Sequence, residues 1–232
     1  MTKKCVVLFS GGIDSTTALY WAKATYNRVT ALSFNYGQRH RVELVLARRL
    51  TRRLWISHKI LRIDLRQVGG SSLTDPALPL PEFETAEEIE PGIPATYVPF
   101  RNGIFLALAA AWAEVNGIRD IICGFNIIDS PDYPDTRAAF VKAMEKAIQH
   151  GTKALSGDRK IRIIVPLIRM KKSEIIKKGL SLGADYAYSI SCYRGDEIPC
   201  GKCSSCLLRQ RAWQEAGVKD HLLQRLKKEG KL

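Results

Sequence analysis

The chain has 232 residues, of which 46% are hydrophobic and 25% are charged. This length suits one large domain with a small appendage, and the composition is that of an ordinary globular protein. We find no secretory leader and no apolar run long enough to cross a bilayer, which excludes a membrane-spanning protein and favours a cytoplasmic one. The formal net charge of +13 suits an anionic partner such as ATP. Because the basic residues are scattered, we expect no nucleic-acid partner.

Strand-like and helix-like segments alternate along the chain. We predict strands at Val6–Phe9, Val29–Phe34, Lys59–Ile63, Asp120–Cys123 and Ile161–Val165. We predict helices at Ser15–Thr25, Val42–Leu54, Gly103–Asn116, Thr136–Gln149, Lys172–Leu182, Leu207–Ala216 and His221–Lys228. Residues 65–99 hold six prolines and read as irregular, with one short helix within Glu82–Glu90. This alternation predicts an α/β protein with a mostly parallel, Rossmann-like sheet covered by helices on both faces.

The glycine loop Ser10–Ser15 (SGGIDS) joins the first predicted strand to the first helix. Such a turn directs backbone N–H groups and a positive helix end at one point, which suits a phosphate. Asp14 repels phosphate unless it caps the helix or holds a bridging Mg²⁺. The alternative is a turn that only connects the two elements. We favour a nucleotide site made by Phe9, Ser10, Gly11, Gly12, Ile13, Asp14, Ser15, Thr16 and Thr17.

Further candidates follow the second and fourth strands, because ligands of parallel sheets bind beyond the carboxyl ends of the strands. Arg101 and Asn102 are candidates at the end of the proline-rich stretch. The substrate-binding candidates are Tyr36, Gln38, Arg39, Arg101, Asn102, Asp132 and Asp135. The catalytic candidates are Asp14, Arg39, Arg101, Asp135 and Arg137. Arg39 or Arg101 would steer a carboxylate. The alternative roles are local: Asn102 suits an N-cap of the helix that it precedes, and Asp135 suits an N-cap of the next.

Four cysteines cluster near the end of the chain, at Cys192, Cys200, Cys203 and Cys206. Two-residue gaps allow successive thiolates to surround one tetrahedral ion, and four thiolates with no open position are typical of structural zinc. An iron–sulfur cluster, a redox pair and four free thiols are the alternatives. Cys5 and Cys123 lie in apolar strand-like runs, so we expect them to be buried.

The glycine loop resembles the PP-loop of the ATP pyrophosphatase superfamily. Beyond this loop, the chain resembles the 7-cyano-7-deazaguanine (preQ0) synthase family through several motifs that occur in order from residue 9 to residue 209. These motifs are SGGIDSTT, YGQRH, GIPATYVPFRN, GFN with YPD.R, and SCY with PCGKCSSCLLR. The resemblance implies an adenine nucleotide alpha-hydrolase-like fold that uses ATP, Mg²⁺ and structural Zn²⁺. It implies a homodimer that converts 7-carboxy-7-deazaguanine and ammonia to the nitrile, through an acyl-adenylate and an amide, for queuosine or archaeosine biosynthesis. We expect a nucleotide-binding domain over residues 1–190 and a zinc segment over 191–232.

One position departs from that family, which usually has cysteine where this chain has Thr136. If the missing thiol is structural, the function carries over. If it is chemical, the chain would be a divergent relative that transfers the same activated acid to another amine. A tRNA-modifying PP-loop enzyme is a further alternative, although such enzymes usually have a reactive cysteine pair outside the metal site. A non-catalytic zinc-stabilised binding module fits the intact glycine loop poorly.

Overall fold

Five strands form one parallel sheet in a computed structural model that describes residues 3–128, 133–153 and 160–232. The strands are β1 (Lys4–Leu8), β2 (Arg28–Asn35), β3 (Ser57–Arg62), β4 (Asp120–Ile122) and β5 (Arg162–Ile164). They lie in the order β3-β2-β1-β4-β5, with Val6 of β1 paired to Thr30 of β2 and to Ile121 of β4. The five predicted strands and the parallel α/β fold are confirmed. Because the order reverses between β1 and β4, a crevice opens there at the carboxyl ends of the strands.

Seven α-helices accompany the sheet in the described residues. They are α1 (Ile13–Thr25), α2 (Val42–Arg53), α3 (Arg101–Val115), α4 (Ala138–Gly151), α5 (Lys172–Ser181), α6 (Ser204–Ala216) and α7 (His221–Lys228). Each corresponds to a predicted helix, but α1 and α3 begin two residues earlier than predicted and α6 begins three residues earlier, at Ser204. The helix predicted within Glu82–Glu90 is reduced to a 3₁₀ turn at Ala86–Glu88. None of the described helices has both the length and the apolar character that crossing a membrane requires.

Apolar cores lie on both faces of the sheet, as the alternation of side chains along β1 requires. Cys5 and Val7 point into one core, which is completed by α1, α5 and α6, while Val6 points into the other, which α3 and α4 cover. Cys123 is fully buried in this second core. Both cysteines predicted to be buried are therefore buried, and desolvation raises the pKa of the Cys5 thiol to about 12.

The C-terminal segment (residues 191–232) packs against α2 through its own small core. Leu46 of α2 lies in one cluster with Ile190, three of the four clustered cysteines, and Leu222 and Leu226 of α7. The irregular segment before α3 also touches it, since the Phe83 N–H donates to the Lys202 carbonyl at 2.9 Å. These contacts bring the cysteines to the side of the sheet on which the crevice opens.

Candidate active site

The glycine loop ends β1 and opens α1 at the edge of a cavity of about 310 Å³. Its shape is maintained by its own side chains, because the Gly11 N–H donates to Ser15 Oγ at 3.1 Å and the Gly12 N–H to Ser10 Oγ at 3.3 Å. Gly11 has φ of +90°, a conformation that other residues rarely adopt. The first helical hydrogen bond runs from the Thr16 N–H to the Gly12 carbonyl. The three amides between them therefore sit at the open, positive end of α1, where an anion can accept from them.

Not every residue of the predicted nucleotide site reaches the cavity. Phe9, Ser10, Gly12, Ile13, Asp14 and Ser15 line it, whereas Gly11, Thr16 and Thr17 do not. The Thr17 hydroxyl is 2.6 Å from the Tyr186 hydroxyl and 3.3 Å from the Ile175 carbonyl, so it joins α1 to α5. The Thr16 hydroxyl is buried without a hydrogen-bond partner. Both threonines lie about one helical turn further along α1 than Gly12 and Ile13, beyond the open end of the helix that faces the cavity.

Asp14 and Lys172 form an ion pair beside the loop, and the sequence did not single out this lysine. Lys172 is the first residue of α5, and its Nζ lies 3.2 Å from Asp14 Oδ2. The other carboxylate oxygen, Asp14 Oδ1, is buried without a partner. A buried carboxylate oxygen with no donor suits a hard cation such as Mg²⁺, since such ions take oxygen ligands. Lys172 lies at the cavity only because α5 packs against α1.

Gly124 brings the end of β4 against this same loop. A Cβ built on Gly124 would lie 2.8 Å from the Asp14 carbonyl carbon and 2.9 Å from the Ser15 nitrogen. Any larger residue would therefore displace the start of α1. The motif GFN that begins here also supplies Phe125 and Asn126 to the cavity lining.

Arg101 enters the cavity from the start of α3. Its Nη1 donates to the Tyr36 hydroxyl at 3.1 Å, and its guanidinium lies 5.7 Å from the Tyr36 ring centroid. Among the described residues, no carboxylate lies within ion-pair distance of Arg101. An arginine that is held inside a cavity without a counter-ion is suited to bind an anionic group of a ligand.

The backbone just before Arg101 adopts a rare conformation. Phe100 precedes α3 with φ of +52°, which is rare for a large residue. A Cβ at Gly103 would overlap the Phe100 ring, so the glycine makes room for this conformation. Non-glycine residues in this region cost about 1–3 kcal/mol and are concentrated at functional sites.

The alternative role considered for Asn102 and for Asp135, N-capping of the helix that each precedes, is wrong. Asn102 is the second residue of α3, and its N–H donates to Asp135 Oδ2 at 2.9 Å. Asp135 therefore caps α3 across the fold, 33 residues away, instead of the helix that follows it. These neighbouring residues differ in whether they reach the cavity. Asn102 and Thr136 line it, whereas Asp135 does not. Arg137 is exposed at the start of α4 and also lies outside the lining. Asp132 lies outside the described residues.

Gln38 and Arg39 act within the loop after β2 instead of facing the cavity. Gln38 accepts from the Tyr36 N–H at 2.8 Å and donates to Glu43 Oε1 at 2.9 Å. Arg39 turns toward the irregular segment, where its Nη2 donates to the carbonyls of Asp75 and Leu78. Neither residue lines the cavity, which differs from our expectation. Gly37, with φ of +87°, bends the chain between Tyr36 and these two residues, and the sequence alone did not reveal which side chains would face inward.

Tyr36 and two residues that we had not proposed as site residues, His40 and Glu43, complete this wall. The Tyr36 hydroxyl is 3.4 Å from His40 Nε2, and His40 Nε2 is 3.6 Å from Glu43 Oε2. Desolvation lowers the pKa of His40 to about 3 and raises the pKa of Glu43 to about 7. Burial also raises the pKa of Tyr36 to about 12. At neutral pH this wall therefore carries a neutral imidazole, a neutral phenol and a carboxyl group near its titration midpoint.

The four cysteines of the C-terminal segment converge on one point. Their sulfur atoms all lie within 4.8 Å of one another, and Cys200 Sγ is 3.9 Å from Cys206 Sγ. Four thiolates at zinc–sulfur distances of about 2.3 Å would stand about 3.8 Å apart in a tetrahedron. The cluster could therefore bind a metal ion, and Ser191, Tyr193 and Ser205 beside it line the cavity.

Comparisons with known proteins agree with this arrangement. The sequence model of a family described as "Queuosine biosynthesis protein QueC" matches residues 4–217. The chain belongs to the QueC family. A protein of Azotobacter vinelandii named 7-cyano-7-deazaguanine synthase is 48% identical over 221 residues, covering 94% of this chain and 96% of that protein. A protein of Dechloromonas aromatica with the same name is 47% identical over 228 residues, covering 97% of this chain and all of that protein.

The fold is also found in a solved structure that is distant in sequence. A 4-thiouridine synthetase in complex with RNA and bound ATP aligns with a TM-score of 0.53 at 19% identity. The alignment covers 97% of this chain and 53% of that chain, so this QueC protein corresponds to about half of the synthetase. The likeness shows a shared fold.

Proposed function

We propose that this QueC protein converts 7-carboxy-7-deazaguanine and ammonia to 7-cyano-7-deazaguanine and consumes ATP. The observation that carries this proposal is the position of Arg101, which has no carboxylate partner in the described residues and lies in the same cavity as the glycine loop. A site that binds both an acid and a triphosphate is what activation of a carboxylate requires. The identity of the heterocycle is inferred from the names of the relatives, 7-cyano-7-deazaguanine synthase.

The physical reason for using ATP is the poor leaving group of a carboxylate. Direct attack by ammonia would have to expel oxide, whereas transfer to AMP supplies a stabilised phosphate as the leaving group. The charge that develops on pyrophosphate would be met by the amides at the start of α1 and by Lys172. Asp14 would hold Mg²⁺, which supplies additional charge neutralisation on the phosphates when it is bound.

A flat heterocycle fits the remaining walls of the cavity. Phe105 stacks on Phe34 with ring centroids 4.0 Å apart and lies 5.4 Å from Tyr36. Together with Phe125, Tyr133 and Tyr193, these rings offer apolar surfaces to a planar ligand. With the acid group directed at Arg101, the carbon to be activated would lie between this aromatic wall and the glycine loop.

The C-terminal segment would have a structural role, with zinc held by its four thiolates. We propose that residues 1–190 carry the nucleotide site and that residues 191–232 hold the metal and close one side of the cavity. Metal binding would then contribute to folding and would supply no chemistry to the reaction. The homodimer expected from the family stays a prediction, which light scattering of the purified protein tests.

The contacts of Thr136, which replaces the usual cysteine of the family, support the nitrile as the product. Its hydroxyl donates to the Tyr133 carbonyl at 2.9 Å, so it closes the 3₁₀ turn that precedes α4. The side chain at this position thus has a local structural task in this protein. Although Thr136 lines the cavity, its hydroxyl proton is donated within this turn, so it is not available to select a different amine.

The test is a reaction of purified protein with ATP, Mg²⁺, ammonium and 7-carboxy-7-deazaguanine, followed by mass spectrometry. We expect the nitrile, with AMP and pyrophosphate as co-products. Lys172→Met should weaken ATP binding about tenfold or more, whereas Lys171→Met, which removes a neighbouring lysine outside the cavity lining, should not. A product that stops at the amide, or a requirement for a different amine, would contradict the proposal.

A further inference from the structure

The cavity contains a carboxyl group for which the reaction as proposed so far has no use. Asp14 and Glu43 are the two acidic residues of its described lining. Asp14 is paired with Lys172, whereas the nearest basic group to Glu43 is the imidazole of His40, 3.6 Å away. Glu43 is only 9% exposed. Keeping a carboxyl group buried without a cation is costly, so its retention calls for a ligand or a task.

Glu43 also lies where the reaction would take place. Its main chain abuts the glycine loop, since a Cβ built on Gly11 would lie 3.2 Å from the Glu43 carbonyl oxygen. Its carboxyl group lines the same cavity as Arg101 and Tyr36; the Arg101 guanidinium lowers the pKa of Glu43, and Glu43 raises the pKa of Tyr36. The Gln38 amide holds Oε1 at 2.9 Å, which leaves Oε2 directed toward His40. The group is thus fixed between the phosphate end and the acid-binding end of the cavity.

We propose that Glu43 binds the ammonium ion and removes protons from its nitrogen during both rounds of activation. This inference rests on the function proposed above. At neutral pH ammonia is almost entirely the ammonium cation, which has no lone pair to attack carbon. A buried carboxylate attracts that cation and accepts a proton from it.

The protons and electrons balance through the two rounds. Ammonium gives one proton to Glu43, which returns it to water, and the freed lone pair forms the C–N bond. The C–O bond to AMP breaks with its electron pair on AMP, and a second proton leaves the nitrogen, so that the amide forms. After a second ATP has adenylated the amide oxygen, the last two N–H protons leave, the C–O bond breaks again, and the C≡N bond is completed. All four protons thus leave one nitrogen, beside one carboxylate.

Glu43→Gln tests this role, because glutamine has the same shape and can still accept from Gln38. Acid-dependent exchange of pyrophosphate into ATP should stay within about threefold of wild type, since the first activation needs no nitrogen. Formation of amide and nitrile from ammonium at pH 7 should fall by about 100-fold or more. Hydroxylamine is uncharged at this pH, and its capture of the activated acid as a hydroxamate should largely survive. Activity with ammonium should recover toward pH 9 as free ammonia becomes available.

Two variants serve as controls. Glu43→Asp keeps a carboxylate and should exceed Glu43→Gln with ammonium by about tenfold or more. Glu145→Gln makes the same change at a partly buried residue outside the cavity and should behave as wild type. The pH profile of the wild type must be compared with these variants, because Arg101, Tyr36 and His40 also face the Glu43 carboxyl group.

The outcomes separate this inference from the function on which it rests. If wild-type protein shows no acid-dependent exchange and forms no hydroxamate, the proposed function itself fails. If wild type is active and Glu43→Gln keeps its ammonium activity and pH profile, the ammonium site is overturned. Loss of pyrophosphate exchange in Glu43→Gln would also overturn it, because the carboxyl group would then act on activation of the acid.

Discussion

Arg101 in the cavity and Arg209 in the C-terminal segment are both held inside the protein, but only Arg209 is paired with a carboxylate. Arg209 is 4% exposed and makes two hydrogen bonds to the Asp220 carboxylate, at 2.5 and 2.8 Å. The Arg101 guanidinium has only the Tyr36 hydroxyl as a hydrogen-bond partner in the described chain. Paired charges stabilise a fold, whereas an unpaired charge inside a cavity is stabilised by the ligand that it binds.

The same contrast extends to the neighbours of these arginines. Arg225 in α7 is paired with Glu197 and Glu229, so the C-terminal segment balances its buried cations internally. The cavity instead contains Glu43 without a cation and Asp14 with one buried oxygen lacking a donor. Charged groups of the cavity lining that lack an opposite charge therefore suit a ligand, whereas the buried arginines of the C-terminal segment are matched by carboxylates of the fold.

The largest effect should come from removing a thiolate of the C-terminal segment. We expect Cys203→Ser to lose bound metal and most folded protein together, because structural zinc sites supply about 10–16 kcal/mol of apparent binding energy to folding. Metal analysis by mass spectrometry and thermal melting measure the two losses. Cys5→Ala, at a buried cysteine outside the cluster, should lose stability but no metal. A folded, metal-free and active Cys203→Ser protein would remove the scaffold role from this segment.

The contrast between the two arginines is itself open to a direct test. Arg209→Met should lower stability by about 3–5 kcal/mol, because it leaves Asp220 buried without its partner. Arg101→Met should leave the melting temperature unchanged or raise it, while the rate of product formation falls about 100-fold or more, equivalent to about 3 kcal/mol of lost stabilisation. Denaturant unfolding and product formation are to be measured for both proteins. If Arg101→Met unfolds like Arg209→Met, the distinction fails.

The stability of the folded protein should depend on pH through Glu43, the cavity carboxyl group that has no cation partner. Burial raises its pKa in the folded protein to about 7 from an ordinary value of 4.5. A raised carboxyl pKa means that the fold prefers the protonated form, so this contribution to stability is complete below pH 4.5 and is lost as the pH rises through 7. We expect Glu43→Gln to be more stable than wild type at pH 8, by an amount on the order of 1–3 kcal/mol, with little difference at pH 4.5. Melting curves across this range would show the opposite trend if Glu43 were a stabilising ion-pair member.

The sequence predicted the parts of this protein that are made by consecutive residues. The glycine loop could be recognised because its side chains bond to its own backbone, as Ser10 and Ser15 do. The cysteine cluster could be recognised because two-residue gaps alone bring thiolates together. The order of strands and helices followed from hydrophobic periodicity, which also depends on nearby residues.

The parts of the site assembled by packing could not be predicted in the same way. Lys172 reaches Asp14 from 158 residues away, and the pairing exists only because α5 lies on α1. Asp135 caps α3 across 33 residues, a contact with no local signature. Glu43 reads as an ordinary acidic residue in the first turn of α2, and only the approach of that helix to Gly11 brings it to the cavity.

The smallest effect on stability should come from relaxing the backbone at Phe100. This substitution tests whether the backbone strain beside the cavity lowers the stability of the fold. Phe100→Gly removes the strain of a left-handed phenylalanine but also removes the ring that packs over Gly103 and against Phe140. Because these effects oppose each other, we expect stability to change by no more than about 1 kcal/mol. Activity should nevertheless fall several-fold, since α3 would no longer be held to direct Arg101 at one point. Tyr97→Phe, which removes the hydroxyl that accepts from the Phe100 N–H at 3.1 Å, should reproduce the loss of activity in weaker form. Full activity in Phe100→Gly would mean that the cap from Asp135 alone positions Arg101, and the strain would then have no part in the site.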